Sequence, residues 1–319
     1  MRFYDIYNGD ADGICALLQL RAADPRDATL VTGIKRDIHL LARVRAAPGD
    51  RLTVLDISLD ANRAELMRAL DAGATVQWFD HHHAGGIPRH PALSTHIDID
   101  PGTCTSLIVD RHLGGRFRSW AIVAAFGDNL EAPARALAHE AGLSDSETGL
   151  LRELGVCLNY NAYGESVADL RYPPEALYRR LRSCADPLEF VRRADEFAVL
   201  RQAFAEDLSR AESFPEEQLS PGCALVMLPN EAWSRRVVGI LANRLAQRFP
   251  QRAHAILVRR AAGYLVSLRA PLEHPHGAVA VARKFSSGGG REGAAGIDSL
   301  PEADLPRLRK ALTAAWPGR

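Results

Sequence analysis

The sequence predicts an α/β protein with an N-terminal parallel-sheet domain, a helical connector and a smaller C-terminal α/β domain. Three observations carry this. Short apolar runs alternate with amphipathic stretches over the first hundred residues, the chain turns largely helical from Thr103 to about Phe214, and strands return after Gly222. Strands alternating with helices of about ten residues argue for βαβ units and a mostly parallel sheet. The expected parts are residues 1–130, 131–219 and 220–319.

Taken in order, "FYDIY" reads as a strand before the helix-like "GICALLQLRAA". "ATLVTGI" precedes "DIHLLARVRAA", and "RLTVLDI" precedes "NRAELMRALDAG". Asp60 is placed to cap that third helix and Gly73 to end it. "TVQWFD" is the next strand. The helical part contains "TSLIVDRHL", "SWAIVAAFG", "APARALAHEAG", "SETGLLRELGVCL" and a long amphipathic run from Pro187 to Phe214. Ser213 to Gly222, "SFPEEQLSPG", has the composition of a linker. "CALVML", "HAILVRR" and "GYLVSLRA" are strands, interleaved with "RRVVGILANRLAQRF" and a late helix in "EADLPRLRKALTAAW".

A chain of 319 residues favours two domains, because single cores rarely grow beyond roughly 250 residues. No apolar run approaches the roughly 18 residues of a membrane span. The sequence opens without a basic segment followed by an apolar one, so a secretory signal is not expected. Cys15, Cys104, Cys157, Cys184 and Cys223 are scattered and odd in number, as in a reduced cytoplasmic protein without a disulfide framework or zinc site. Lys plus Arg and Asp plus Glu balance at 39 each, yet from Ser220 onward 15 basic residues face 6 acidic ones. One region is therefore suited to anions and another to cations.

"YNGDADGIC" places Asp10 and Asp12 in a Gly-bounded turn after the first strand. Asp56 ends "LTVLD", and Asp80 ends "VQWFD" just before His81, His82 and His83. In a parallel sheet the carboxyl ends of the strands form the ligand-binding edge. An aspartate after a strand often only caps the next helix, and Asp12 could do so before Ile14. The set is harder to explain that way, since crowded carboxylates repel or protonate unless a cation joins them. Mixed carboxylate and imidazole donors suit manganese or a similar first-row ion.

The sequence resembles the DHH phosphoesterase superfamily, named for the motif present here as Asp80-His81-His82. "NGDADG" (Asn8 to Gly13), "LDIS" with Asp56, "FDHHH" and "FGDN" with Asp128 match its motifs in order. "WSRRVVGILANRLA" and "SSGGGREGAAG" resemble the signatures of the associated DHHA1 domain. The resemblance implies two metal ions, Mn2+ or alternatively Mg2+ or Co2+. Asp10 would hold one beside Asn8; Asp12, His81 and Asp128 would hold the other, with Asp56 bridging. Asp80 would orient an imidazole, and His82 would face the scissile phosphate as donor or general acid. Paired ions about 3.5–4 Å apart suit phosphoester hydrolysis by an activated water. Arg235, Arg236, Arg269, Gly288, Gly289, Gly290 and Arg291 would grip the substrate.

Two positions depart from that pattern. Asn8 stands where His or Asp is common, and a neutral amide binds transition metals less well than imidazole. Arg291 stands where a histidine usually follows the glycines, keeping anion recognition while removing acid–base capacity. Between helices, Tyr160 or Tyr163 of "NYNAYG" could stack on a base, although such a stretch is more often only a loop. The length matches the compact oligoribonuclease branch better than the longer RecJ exonucleases. The expected function is hydrolysis of short oligonucleotides or dinucleotides. Alternatives are a phosphatase of small nucleotides such as 3′-phosphoadenosine 5′-phosphate, a cyclic-dinucleotide hydrolase, or a non-catalytic nucleotide sensor. A nucleotide or short nucleic acid is the expected partner, with no membrane; a homodimer is left open.

Overall fold

Alternate residues of the first strands face opposite sides of one sheet, and each side has its own core. The computed structural model describes residues 1–318. Strand β1 (Phe3–Tyr7) leads into helix α1 (Ala11–Ala23) and β2 (Thr29–Val31). Next come β3 (Arg51–Leu55), α2 (Arg63–Asp71), β4 (Thr75–Asp80) and β5 (Leu93–Ile97). The five strands are all parallel, in the order β2-β1-β3-β4-β5. Tyr4, Ile6, Leu52, Val54, Val76 and Trp78 pack with Leu66 and Leu70 of α2 on one face. Tyr7, Leu55 and Phe79 point to the other, against α1. That helix is apolar nearly all round and buries residues 11–21, as expected where a helix is enclosed on every side.

The pairing registers fix the edge. Tyr7 lies opposite Leu55, and Leu55 opposite Phe79. The residues just beyond continue the ladder, Asn8 N–H donating to Leu55 O and Asp56 N–H to Phe79 O. Asn8, Asp56 and Asp80 thus reach the same carboxyl edge.

Helices α3 (Thr105–His112), α4 (Arg118–Gly127), α5 (Glu131–Glu140) and α6 (Asp145–Asn161) follow. After them come α7 (Pro174–Arg182), α8 (Pro187–Arg193) and α9 (Asp195–Glu212). The core that includes α1 takes in side chains from α3 through α9. The chain divides into two compact units between Gln202 and Ala203, so residues 131–202 lie in the same unit as the parallel sheet.

The second unit has β6 (Glu216–Ser220), β7 (Cys223–Leu228), α10 (Ala232–Arg248), β8 (Ala253–Arg260) and β9 (Gly263–Arg269). It continues with α11 (Ala278–Ala282), β10 (Gly288–Gly290), β11 (Ala294–Leu300) and α12 (Leu305–Ala315). Its six-stranded mixed sheet runs β10-β11-β9-β8-β7-β6, with only β7 and β8 parallel.

Three local expectations are corrected. "DIHLLARVRAA" forms only a 3-10 turn at Leu40–Arg43. Its first polar groups are engaged elsewhere: Asp37 accepts from Ile34 N–H, and Ile38 O accepts from Asn62 Nδ2. Asp60 lies in a 3-10 turn and pairs with Arg63 instead of capping α2; Gly73 does follow that helix with φ 83°. The linker-like segment holds β6, whose Glu216 and Glu217 suit an edge strand because charge there discourages further pairing.

Candidate metal centre

Asp10 caps α1. Its Oδ1 accepts from Asp12 N–H and Gly13 N–H, both at 3.1 Å, so the cap is Asp10 and not Asp12. Asp12, fully buried, instead accepts at both oxygens from the start of α3, Thr105 N–H at 2.8 Å and Ser106 N–H at 2.7 Å. Each carboxylate oxygen has a further lone pair for a cation. Asp56 follows β3 in a left-handed conformation, φ 58°, and Thr105 Oγ1 donates to its Oδ1 at 3.3 Å. Asp128 ends α4, where Gly127 allows close approach: a Cβ there would lie 2.4 Å from Ala11 Cβ.

Asp10, Asp56 and Asp128 line a cavity of about 370 Å³ with Asn8, Lys35, His81 and His82. His81 Nε2 is 3.4 Å from Asp56 Oδ1 and 3.8 Å from Asp128 Oδ2. Two overlapping donor sets converge, Asp12–His81–Asp128 and Asp56–His81–His82, each with ligand atoms within 4.8 Å of one another. The mixture of hard oxygens and imidazole nitrogens fits a divalent first-row ion. At this edge the buried acceptors Asn8 Oδ1 and Asp80 Oδ2 have no hydrogen-bond donor among the described residues. Asp10 belongs to neither set.

Charge crowding shows in the titration behaviour. Burial and the carboxylates of Asp10, Asp12 and Asp128 push Asp56 well above the usual range. Burial also raises Asp128, with Lys35 opposing. Burial would raise Asp10 too, but the Lys35 ammonium outweighs it and holds Asp10 low. His82 donates from Nδ1 to the buried Asp80 Oδ1 at 2.7 Å, which raises the imidazole above its ordinary value. The stability His82 contributes is therefore full below about pH 6.5 and lost as pH rises through the raised value. Replacing Asp80 by Asn should move the His82 titration midpoint to lower pH, as followed by imidazole NMR signals; an unchanged midpoint would contradict this coupling.

The sequence motifs contain no hint of Lys35 or Asn159. Lys35 Nζ donates to Asp10 Oδ2, to Asp128 Oδ1 at 3.3 Å and to Asn159 Oδ1 at 3.1 Å. The one available signal is that Lys35 lies just beyond the second strand, at the edge that carries the acids. Tyr160 is fully buried in α6, which removes it as a base-stacking surface; Tyr163 lies beside Lys35.

In the second unit, pairing sets Ala294 opposite Arg269, and Arg291 N–H donates to Ala294 O in the turn before it. Arg269 and Arg291 therefore share one end of that sheet. Arg269 Nε donates to Asn243 Oδ1 at 2.6 Å, and Arg235 donates to Asn230 Oδ1. Arg236 is corrected as a substrate residue: it is buried and paired with Asp207 at 2.7 Å. Of the glycines, Gly288 has a packing role. A Cβ on it would meet Ala282 O at 1.8 Å, whereas Gly289 faces open space.

Two α/β units, the first edged with carboxylates and imidazoles, give a fold shared with solved RecJ structures. The chain is similar to the crystal structure of exonuclease RecJ bound to manganese, with a TM-score of 0.66 and 18% identity over 98% of this chain and 89% of that one. It is similar to RecJ from Thermus thermophilus in complex with Mn2+ (TM-score 0.64, 19% identity, 98% of this chain), of which it spans about half, 51%. It is also similar to the pGpG-specific phosphodiesterase PggH from Vibrio cholerae, with a TM-score of 0.56 and 15% identity over 98% of both chains. No family model matches the sequence, and no curated protein matches it by sequence. Among the described residues no helix is long and apolar enough to cross a membrane.

Proposed function

We propose that this protein is a divalent-metal-dependent phosphodiesterase acting on short oligonucleotides or dinucleotides. The observation that carries the reading is the convergence of Asp12, Asp56, His81, His82 and Asp128 at the sheet edge, the last four lining one cavity. Mn2+ is the expected ion, with Mg2+ or Co2+ as alternatives. When bound, such a cation polarises a phosphoryl oxygen and makes water a stronger nucleophile near neutral pH. The chain's own residues do the rest. Asp80 fixes the His82 ring and favours its protonated form, so the second ring nitrogen can hold a proton for the departing oxygen. Arg269 and Arg291 of the second unit supply planar donors suited to substrate phosphates.

The likeness in fold and length to a phosphodiesterase whose name specifies pGpG favours dinucleotides within this class. The test is a panel with and without Mn2+: a 5′-phosphorylated dinucleotide, a short RNA and a short DNA, 3′-phosphoadenosine 5′-phosphate and a cyclic dinucleotide. Mononucleotides released from the linear dinucleotide and short oligomers, and abolished by EDTA, are expected. Faster turnover of the bisphosphate or the cyclic compound, or no turnover of any, would overturn the proposal.

A further inference from the structure

We infer that the Lys35 ammonium takes the place of one of the two cations, leaving a single divalent ion among Asp12, Asp56, His81 and Asp128. This deepens the metal-dependent reading above and rests on it. Three acceptors from three separate elements converge on Nζ: Asp10 at the cap of α1, Asp128 at the end of α4, and Asn159 on α6. An ammonium has three N–H donors and no acceptor, so this environment satisfies it completely. It is the kind of oxygen cage a metal ion would otherwise collect.

Asp10 is committed to this arrangement. One of its oxygens serves two backbone N–H groups and the other serves Lys35, and it joins neither convergent donor set. Its neighbour Asn8 offers only a neutral amide oxygen, and its Nδ2 donates to Lys35 O at 3.2 Å. Lys35 N–H in turn donates to Ala162 O at 2.9 Å. The backbone carrying the ammonium is thus clipped on both sides of the residue. The choice of residue agrees: the chain has 36 arginines and three lysines. Only the compact ammonium approximates a point charge; a planar guanidinium would not fit a cage meant for a small cation.

The experiment loads the full chain with Mn2+, removes excess by gel filtration and counts bound ions, with an EPR spectrum alongside. Wild type is expected to hold one ion per chain with an uncoupled spectrum. Lys35→Met frees the carboxylate cage and is expected to hold two ions with a spin-coupled spectrum. Asp10→Asn is expected to keep the single ion, with a loss of affinity smaller than the roughly tenfold that removing even an indirect partner of a ligand costs; it decides the matter if Lys35→Met does not fold. Two coupled ions in wild type, one ion in folded Lys35→Met, or loss of the ion in Asp10→Asn would each overturn the inference. No bound ion in wild type would overturn the metal reading itself. One ion without hydrolysis would overturn only the proposed activity.

Discussion

Asp56→Asn is expected to abolish metal-dependent hydrolysis while leaving the metal-free protein more stable than wild type. The backbone argument comes first. Asp56 sits at φ 58°, and Asn tolerates the left-handed region about as well as Asp, so the turn survives the exchange. The charge argument gives the two signs. In the metal-free state Asp56 is buried among Asp10, Asp12 and Asp128, and its pKa is raised well above the usual value. A carboxyl raised in the folded state imposes a penalty that is absent below its unfolded pKa, grows as pH rises through the folded value and persists above it. Asn removes that penalty, so the metal-free variant should melt higher than metal-free wild type at neutral pH and less so in acid. With the anionic ligand gone, Mn2+ affinity should fall by at least about 100-fold, beyond the range that loss of indirect partners produces, and turnover should fall with it. Calorimetric melts and Mn2+ titrations read both signs. A variant that melts lower without metal, or that binds the ion as tightly as wild type, would contradict the account.

The largest stability effect is expected in the middle of β1. Asp5 and Arg21 are both almost fully buried and form a two-pronged pair, Nε to Oδ2 at 2.8 Å and the terminal nitrogen to Oδ1 at 2.6 Å, with Thr53 Oγ1 as a further acceptor at 3.0 Å. Asp5→Ala leaves a guanidinium without its counter-charge between α1 and the sheet, at a cost of about 3–5 kcal/mol. For a protein of this size that corresponds to a fall in Tm on the order of 10 °C. Replacing both partners by apolar residues of similar volume should restore most of the loss, because well-packed apolar groups often substitute for a buried ion pair. Thermal melts of the single and double variants check this. A single variant within a degree or two of wild type would show that the pair is not what holds α1 to the sheet.

The acids of the site are legible in the sequence because each ends a run whose own pattern defines a strand. Period-two burial sets Tyr4 and Ile6 apart from Tyr7 on β1, and parallel pairing then delivers Asn8, Asp56 and Asp80 to one edge. Other features had no local signature. "DIHLLARVRAA" looks helical until the Asp37 carboxylate turns back to Ile34 N–H and Asn62 captures Ile38 O. Arg236 looks like part of a basic surface until Asp207 buries it. Tyr160 reads as a loop aromatic, but α6 extends past it and takes it into the interior.

The order of residues alone specifies the two α/β units, the acid-bearing strand ends and the residue types that suit a divalent cation. These depend on periodicity and on residues adjacent in the chain. The places of Lys35 and Asn159 come from the packing of distant segments. Helices α4 and α6 approach so closely that a Cβ on Gly155 would lie 2.2 Å from Val123 O, and this contact carries Asn159 toward Asp10 and Asp128. An ammonium that meets acceptors from residues 10, 128 and 159 is a product of packing between distant segments, which no local pattern encodes.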